Sequence, residues 1–143
     1  MTPAHIHPYP PIHMQKPNQP IIEKHSTPAN LKEIIIDAIQ DRKGRKIVDI
    51  DLQELETAPA SEFVICQGNS TSQVSAIADN IREEVQRKAG VKPYNYDGYR
   101  NSQWIVIDYG NILVHVFLPD TREFYSIEDL WSDARINEIP DLD

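Results

Sequence analysis

The chain has 143 residues, room for one ordinary domain or a smaller domain with tails. Lys and Arg total 14 against 22 Asp and Glu, a net charge of −8, which argues against a surface that wraps nucleic-acid phosphates and excludes a general DNA- or RNA-coating protein; a small local basic patch stays open, and no sequence-specific nucleic-acid binding is expected. The single cysteine, Cys66, excludes an intramolecular disulfide scaffold, and no apolar run approaches the roughly 18 residues that would suggest a membrane-spanning helix.

Seven of the 11 prolines and four of the five histidines fall within residues 1–28. That stretch has no helical or strand period, and proline favours extended conformations, so it is expected to be a mostly disordered leader. It lacks the basic start and apolar run of a signal peptide, and the first Arg of the chain is Arg42, so a cytoplasmic location is expected. Lys16 and Lys24 against Glu23 give the leader +1, leaving −9 for the rest. His5, His7 and His13 are metal-ligand types without carboxylate or thiol support, and neither a metal nor a cofactor is expected. The folded unit is expected over residues 29–131, followed by an acidic, loose tail over 132–143.

Thr27 and Pro28 form a good helix start, and Leu31, Ile34, Ile35, Ala38 and Ile39 then recur at helical spacing until Gly44. Residues 46–52 (KIVDIDL) and 62–67 (EFVICQ) read as strands, the second more continuously apolar and so more buried. Gly68-Asn69-Ser70 opens a second helix with Val74, Ile77, Ala78, Ile81 and Val85 as its stripe and Gly90 as its stop. A weak strand over 91–96 precedes a hairpin, QWIVIDY and ILVHVFL around Gly110-Asn111, which Pro119 ends. Ser126 with Asp129 resembles a capping box for a short last helix carrying Leu130 and Trp131. The order α-β-β-α-β-β-β-α predicts an α/β domain with a mixed five-stranded sheet packed with helices.

The two-residue turn sets the hairpin register, with Tyr109 opposite Ile112, Val106 opposite His115 and Trp104 opposite Phe117. Ile105, Ile107, Tyr109, Ile112, Val114, Val116 and Leu118 then share a helix-covered core face. Trp104, Val106, Asp108, Leu113, His115 and Phe117 share the other face. That face is open to two readings. Either the last helix covers it as ordinary core, or it is a partly exposed aromatic patch rimmed by polar groups, the composition of a protein-binding hot spot.

Over these residues the sequence resembles the ribosomal silencing factor, or Iojap-like, family. FVICQGNSTSQVSAIADNI at 63–81 and WIVIDYGNILVHVFLPDTREFYSIEDLW at 104–131 carry the resemblance, together with the amphipathic helix before them. It covers about 100 residues, and the Pro/His-rich leader lies outside it. The resemblance implies a small non-catalytic factor with a reduced nucleotidyltransferase-like core, often dimeric. It also implies binding to the large ribosomal subunit through its fourteenth protein, where the factor blocks subunit joining and lowers translation under nutrient limitation. The implied contact surface includes Trp104, Asp108, Tyr109, His115, Phe117, Arg122 and Tyr125. An acidic factor would be steered toward a basic ribosomal protein and repelled by bare rRNA.

Two other function classes stay open. Asp49 and Asp51 share one strand face as in nucleotidyltransferases, and Gly68-Asn69-Ser70 could cradle a phosphate, but the acids precede the turn, the reverse of the transferase order. Cys66 sits in an apolar strand as an inert thiol. A homodimeric module that presents the same aromatic face to an unrelated partner is the third class. For single residues, Asp108 fixing the turn, His115 bonding within the sheet and Arg122 pairing with Glu128 or Asp129 are the structural alternatives to partner contact.

Overall fold

The computed structural model describes residues 30–142, so the leader and the Thr27–Pro28 helix start lie outside the described residues. The 3.6-residue apolar spacing forms α1 (Leu31–Asp41), from which Leu31, Ile34, Ile35, Ala38 and Ile39 are buried. β1 (Arg45–Asp51) and β2 (Glu62–Gln67) follow, then α2 (Thr71–Ala89), β3 (Asn95–Asp97), β4 (Trp104–Asp108) and β5 (Ile112–Phe117). α3 (Pro119–Tyr125), α4 (Ile127–Leu130) and β6 (Arg135–Ile139) complete the chain. At the start of α2 the Ser70 hydroxyl accepts from the Gln73 N–H at 3.0 Å while the Gln73 side-chain oxygen accepts from the Asn69 N–H at 2.7 Å.

The strands form one mixed sheet in the order β3-β4-β5-β2-β1-β6. β2 and β5 are parallel, and the other neighbours are antiparallel. The hairpin register is the one read from the turn, with Trp104 opposite Phe117 and Val106 opposite His115. At that turn Gly110 has φ +86°, and a Cβ there would meet Tyr94 Cε2 at 2.7 Å, so the position requires glycine. One sheet face, with Ile47, Val64, Cys66, Ile105, Ile107, Tyr109, Val114 and Val116, packs under α1 and α2. Burial of such side chains, about 1.5–3 kcal/mol each, supplies most of the cohesion.

Two expectations need correction. The sheet has six strands, not five, because residues 135–139, expected in a loose tail, pair antiparallel with β1. Asp141 then clasps the start of β1, its Oδ1 accepting from the Lys46 N–H at 2.8 Å and its Oδ2 from Arg45 at 3.4 Å. Pro119 ends the hairpin as expected, and it also occupies the first turn of α3, where its missing N–H leaves no bond unmade. The Ser126–Asp129 capping box does not form. Ser126 is left-handed at φ 47°, and its hydroxyl donates back to the Glu123 carbonyl at 2.9 Å, making an elbow between α3 and α4.

Candidate functional site

The second face of the β4–β5 ribbon is occupied by the chain itself. Trp104, Val106, Leu113 and Phe117 form one core with Val48, Ile50, Leu52, Phe63, Ile65 and Ile127. Leu55, Ala58, Ala60, Trp131 and Ala134 pack against that core. Of the seven residues implied as contacts, Trp104, Asp108, Tyr109, His115 and Phe117 are therefore buried, and Tyr109 points to the opposite, helix-covered face. Strand alternation says which residues share a face; it does not say that the segment after Pro119 folds back over that face.

Two of the buried polar groups have local tasks in the hairpin. The Asp108 carboxylate accepts from the Gly110 N–H at 2.7 Å and closes the turn. The Trp104 indole N–H donates to His115 Nδ1 at 3.1 Å, which places the imidazole proton on Nε2. Burial pushes the His115 pKa down to about 3, so the ring stays neutral and its Nδ1 remains an acceptor.

From this core a row of aromatic rings runs to the surface. Phe117 stacks on Trp104 at 4.7 Å, Trp104 meets Tyr125 at 4.9 Å, and Tyr125 meets Phe124 edge-on at 5.0 Å. Exposure rises along the row, from 7% at Trp104 to 42% at Tyr125 and 80% at Phe124. Leu130 on α4 is exposed as well, and α3 buries none of its own residues, so the outer end of the row is exposed apolar surface rather than core.

Arg122 sets the position of α3. Its guanidinium makes a two-pronged contact to Glu128 at 3.0 and 2.8 Å across the elbow, and it donates to the Lys46 carbonyl at 2.8 Å and to the Gln67 side chain at 3.1 Å. Its side chain is only 10% exposed. Arg122 thus clamps the α3–α4 elbow onto β1 and β2, and Tyr125 is the one member of the implied surface whose ring is substantially accessible. Sequence reading missed Phe124 and Leu130. The available signal was a proline-started helix whose apolar residue has no partner at helical spacing.

The residues considered for other chemistry are engaged elsewhere. Lys32 Nζ donates to Asp49 at 2.9 Å and to Glu62 at 2.8 Å, so the acid read as a metal ligand is held by an ammonium. Burial and the neighbouring Asp49 outweigh Lys32 and push the Glu62 pKa up to about 7. Asp51 faces Arg135 at 3.8 Å. The Gly68-Asn69-Ser70 turn spends its Asn69 N–H on the Gln73 side chain. Among the described residues no group of three His, Cys, Asp or Glu side chains could hold a metal ion. Cys66 is fully buried, which pushes its thiol up to about 12.

Comparison with known proteins places these features among relatives. A family model described as "Ribosomal silencing factor during starvation" matches residues 24–143. A protein named ribosomal silencing factor RsfS from Halalkalibacterium halodurans is 35% identical over 109 residues, covering 76% of this chain and 92% of that protein. One of the same name from Haemophilus influenzae is 36% identical over 102 residues, covering 71% and 98%. A crystal structure of a protein from Chromobacterium violaceum superposes with a TM-score of 0.68 at 31% identity, covering 72% of this chain and 84% of that one.

Proposed function

The chain belongs to the ribosomal silencing factor family, and from that membership we propose that it binds the large ribosomal subunit through its fourteenth protein and sterically blocks joining of the small subunit, lowering translation when nutrients are scarce. Membership supports a ribosome-associated silencing role and a regulator rather than an enzyme. The finer reading is supported by the aromatic row that ends in Phe124, 80% exposed on a clamped helix. A steric blocker needs an anchored apolar surface and no reacting groups, and aromatic side chains on a rigid base are the usual anchors of such a contact. In this reading Tyr125 and Phe124 meet the partner, while Trp104, Phe117 and His115 support them from behind. Asp108, Tyr109 and Arg122 act one step further back, on the turn, the helix-covered core and the elbow. The chain's −8 charge favours a basic protein partner over rRNA. The site of action is the cytoplasm.

Co-sedimentation with purified large and small subunits tests this. Pelleting with the large subunit alone, with fewer joined ribosomes, is the expected result. Phe124→Ala should weaken that binding by roughly 2 kcal/mol while leaving the far-ultraviolet spectrum and the melting temperature unchanged. Equal pelleting with both subunits, or a Phe124→Ala variant that binds as well as the parent, would defeat the reading. A homodimer formed through the same row would appear instead as a concentration-dependent mass that Phe124→Ala abolishes without any effect on ribosomes.

A further inference from the structure

We propose that the loop at residues 42–46, with the turn at 69–72 beside it, is a contact site for RNA phosphate, so that the molecule grips ribosomal RNA alongside the protein its aromatic row meets. This rests on the reading of the row as the partner surface, and three observations about the loop lead to it.

The first is composition. Two of the 14 Lys and Arg lie in the leader, and four of the other 12 fall within residues 42–46, RKGRK. Arg42, Lys43 and Lys46 are exposed. Among the described residues Arg42 and Lys43 form no ion pair, while Asp141 offsets part of the charge at Arg45 and Lys46. The turn beside them, Asn69-Ser70-Thr71-Ser72, is exposed and adds amide and hydroxyl groups, and no carboxylate occurs from residue 63 to 78. Gln73 ties the two together, its Nε2 donating to the Arg42 and Lys43 carbonyls at 3.1 and 3.2 Å. Cations with Ser, Thr and Asn beside them are the groups that contact phosphate and sugar without reading a base.

The second is the backbone. Lys43 and Lys46 are both left-handed, at φ 62° and 55°, a conformation that glycine adopts without steric cost. At Lys46 the ladder between β1 and β2 also shifts register. The sequence keeps a cation at each of these strained positions, on a loop that Gln73 fixes in place. Strain held by its surroundings is a mark of groups whose positions matter.

The third is placement. β1 runs from this loop to Glu54 and Glu56, which are exposed and form no ion pair among the described residues. It thus separates a cationic end from an acidic one, and the field of an RNA attracts the first and repels the second. The aromatic row belongs to the cationic end, because Arg122 of α3 donates to the Lys46 carbonyl at 2.8 Å and to the Gln67 side chain at 3.1 Å. The net charge of −8 keeps the patch from holding free RNA by itself. Once the row has docked, the phosphate contact becomes intramolecular and even a weak one is populated.

The test measures binding of the full chain to large subunits from about 50 to 200 mM KCl. Over that range the parent should lose roughly ten-fold more affinity than Arg42→Gln with Lys43→Gly, which gives up two phosphate contacts. That variant relaxes one left-handed residue, so its melting temperature should match or exceed the parent's. Arg87→Gln with Lys88→Gln, the same loss of charge at the far end of α2, should keep the parent's salt dependence. Ser72→Cys carrying an iron chelate should cut RNA in the bound subunit by hydroxyl radicals, and Glu56→Cys should not; Cys66, fully buried, stays unlabelled. A loop variant with the parent's salt dependence, or no RNA cut from residue 72, would overturn the proposal. Equal weakening on the isolated fourteenth protein, free of RNA, would overturn it in favour of an acidic protein surface. If Phe124→Ala binds as well as the parent while the loop variant loses salt dependence, the row reading fails and the RNA contact stands.

Discussion

The Trp104 indole donates to His115 and lies between Phe117 and Tyr125, so truncating it removes support from both sides of the ring. Trp104→Ala should therefore cost about 3–5 kcal/mol of folding stability, measured by urea denaturation, which makes it a poor probe of partner contact. A variant as stable as the parent would show that the core reading of Trp104 is wrong. Glu62 gives a second prediction at this scale. Its pKa is raised to about 7 by burial and by Asp49 beside it, with Lys32 in contact with both and Asp51 opposite in register. A raised carboxyl binds a proton more tightly in the folded chain than in the unfolded one. Its contribution is thus fully present below pH ~4.5 and is lost as pH rises through ~7. Glu62→Gln should stabilise the protein by about 1 kcal/mol at pH 8 and change little at pH 5. The sequence marked Trp104, Asp108 and His115 as important residues but left open whether they face a partner or the core. That was settled only by long-range packing from Ile127 and Trp131.

Elements differ in how much of their position is local. The β4–β5 hairpin was legible because a two-residue glycine turn sets register without help from the rest of the chain. α1 and α2 were legible from their apolar stripes. β6 was not: four of its five residues are exposed, so no alternation marks it, and it is a strand only because β1 offers an edge. α3 was hidden for the related reason that it buries nothing. Such an element must be fixed by polar contacts, and Arg122 makes them. Arg122→Ala should cost about 2–3 kcal/mol, because the mostly shielded Glu128 and Gln67 groups lose their partner. Amide hydrogen exchange should accelerate across residues 119–131 and stay slow in β5. Arg122→Lys should rescue little of this, since an ammonium cannot reproduce the two-pronged contact.

Across the whole molecule, the α/β class and the helix-covered face followed from pattern, whereas the cover on the second face depends on chain that folds back after residue 118. The result is a domain with one sheet face closed by two long helices and the other by short, individually weak pieces. Those pieces carry the exposed aromatic rings, so the surface proposed to meet the ribosome sits on the layer that Arg122 fixes to β1 and β2. β6 bears on this arrangement in a different way. It is held to the sheet by its ladder with β1 and by the Asp141 clasp at Lys46. Proteolytic trimming or a stop codon that removes residues 135 onward would leave the backbone of Ile47, Val48 and Ile50 as a bare sheet margin. Shortened chains should consequently precipitate or form thioflavin-positive fibrils at concentrations where the parent remains clear by light scattering, which makes a five-residue edge strand the guard against aggregation.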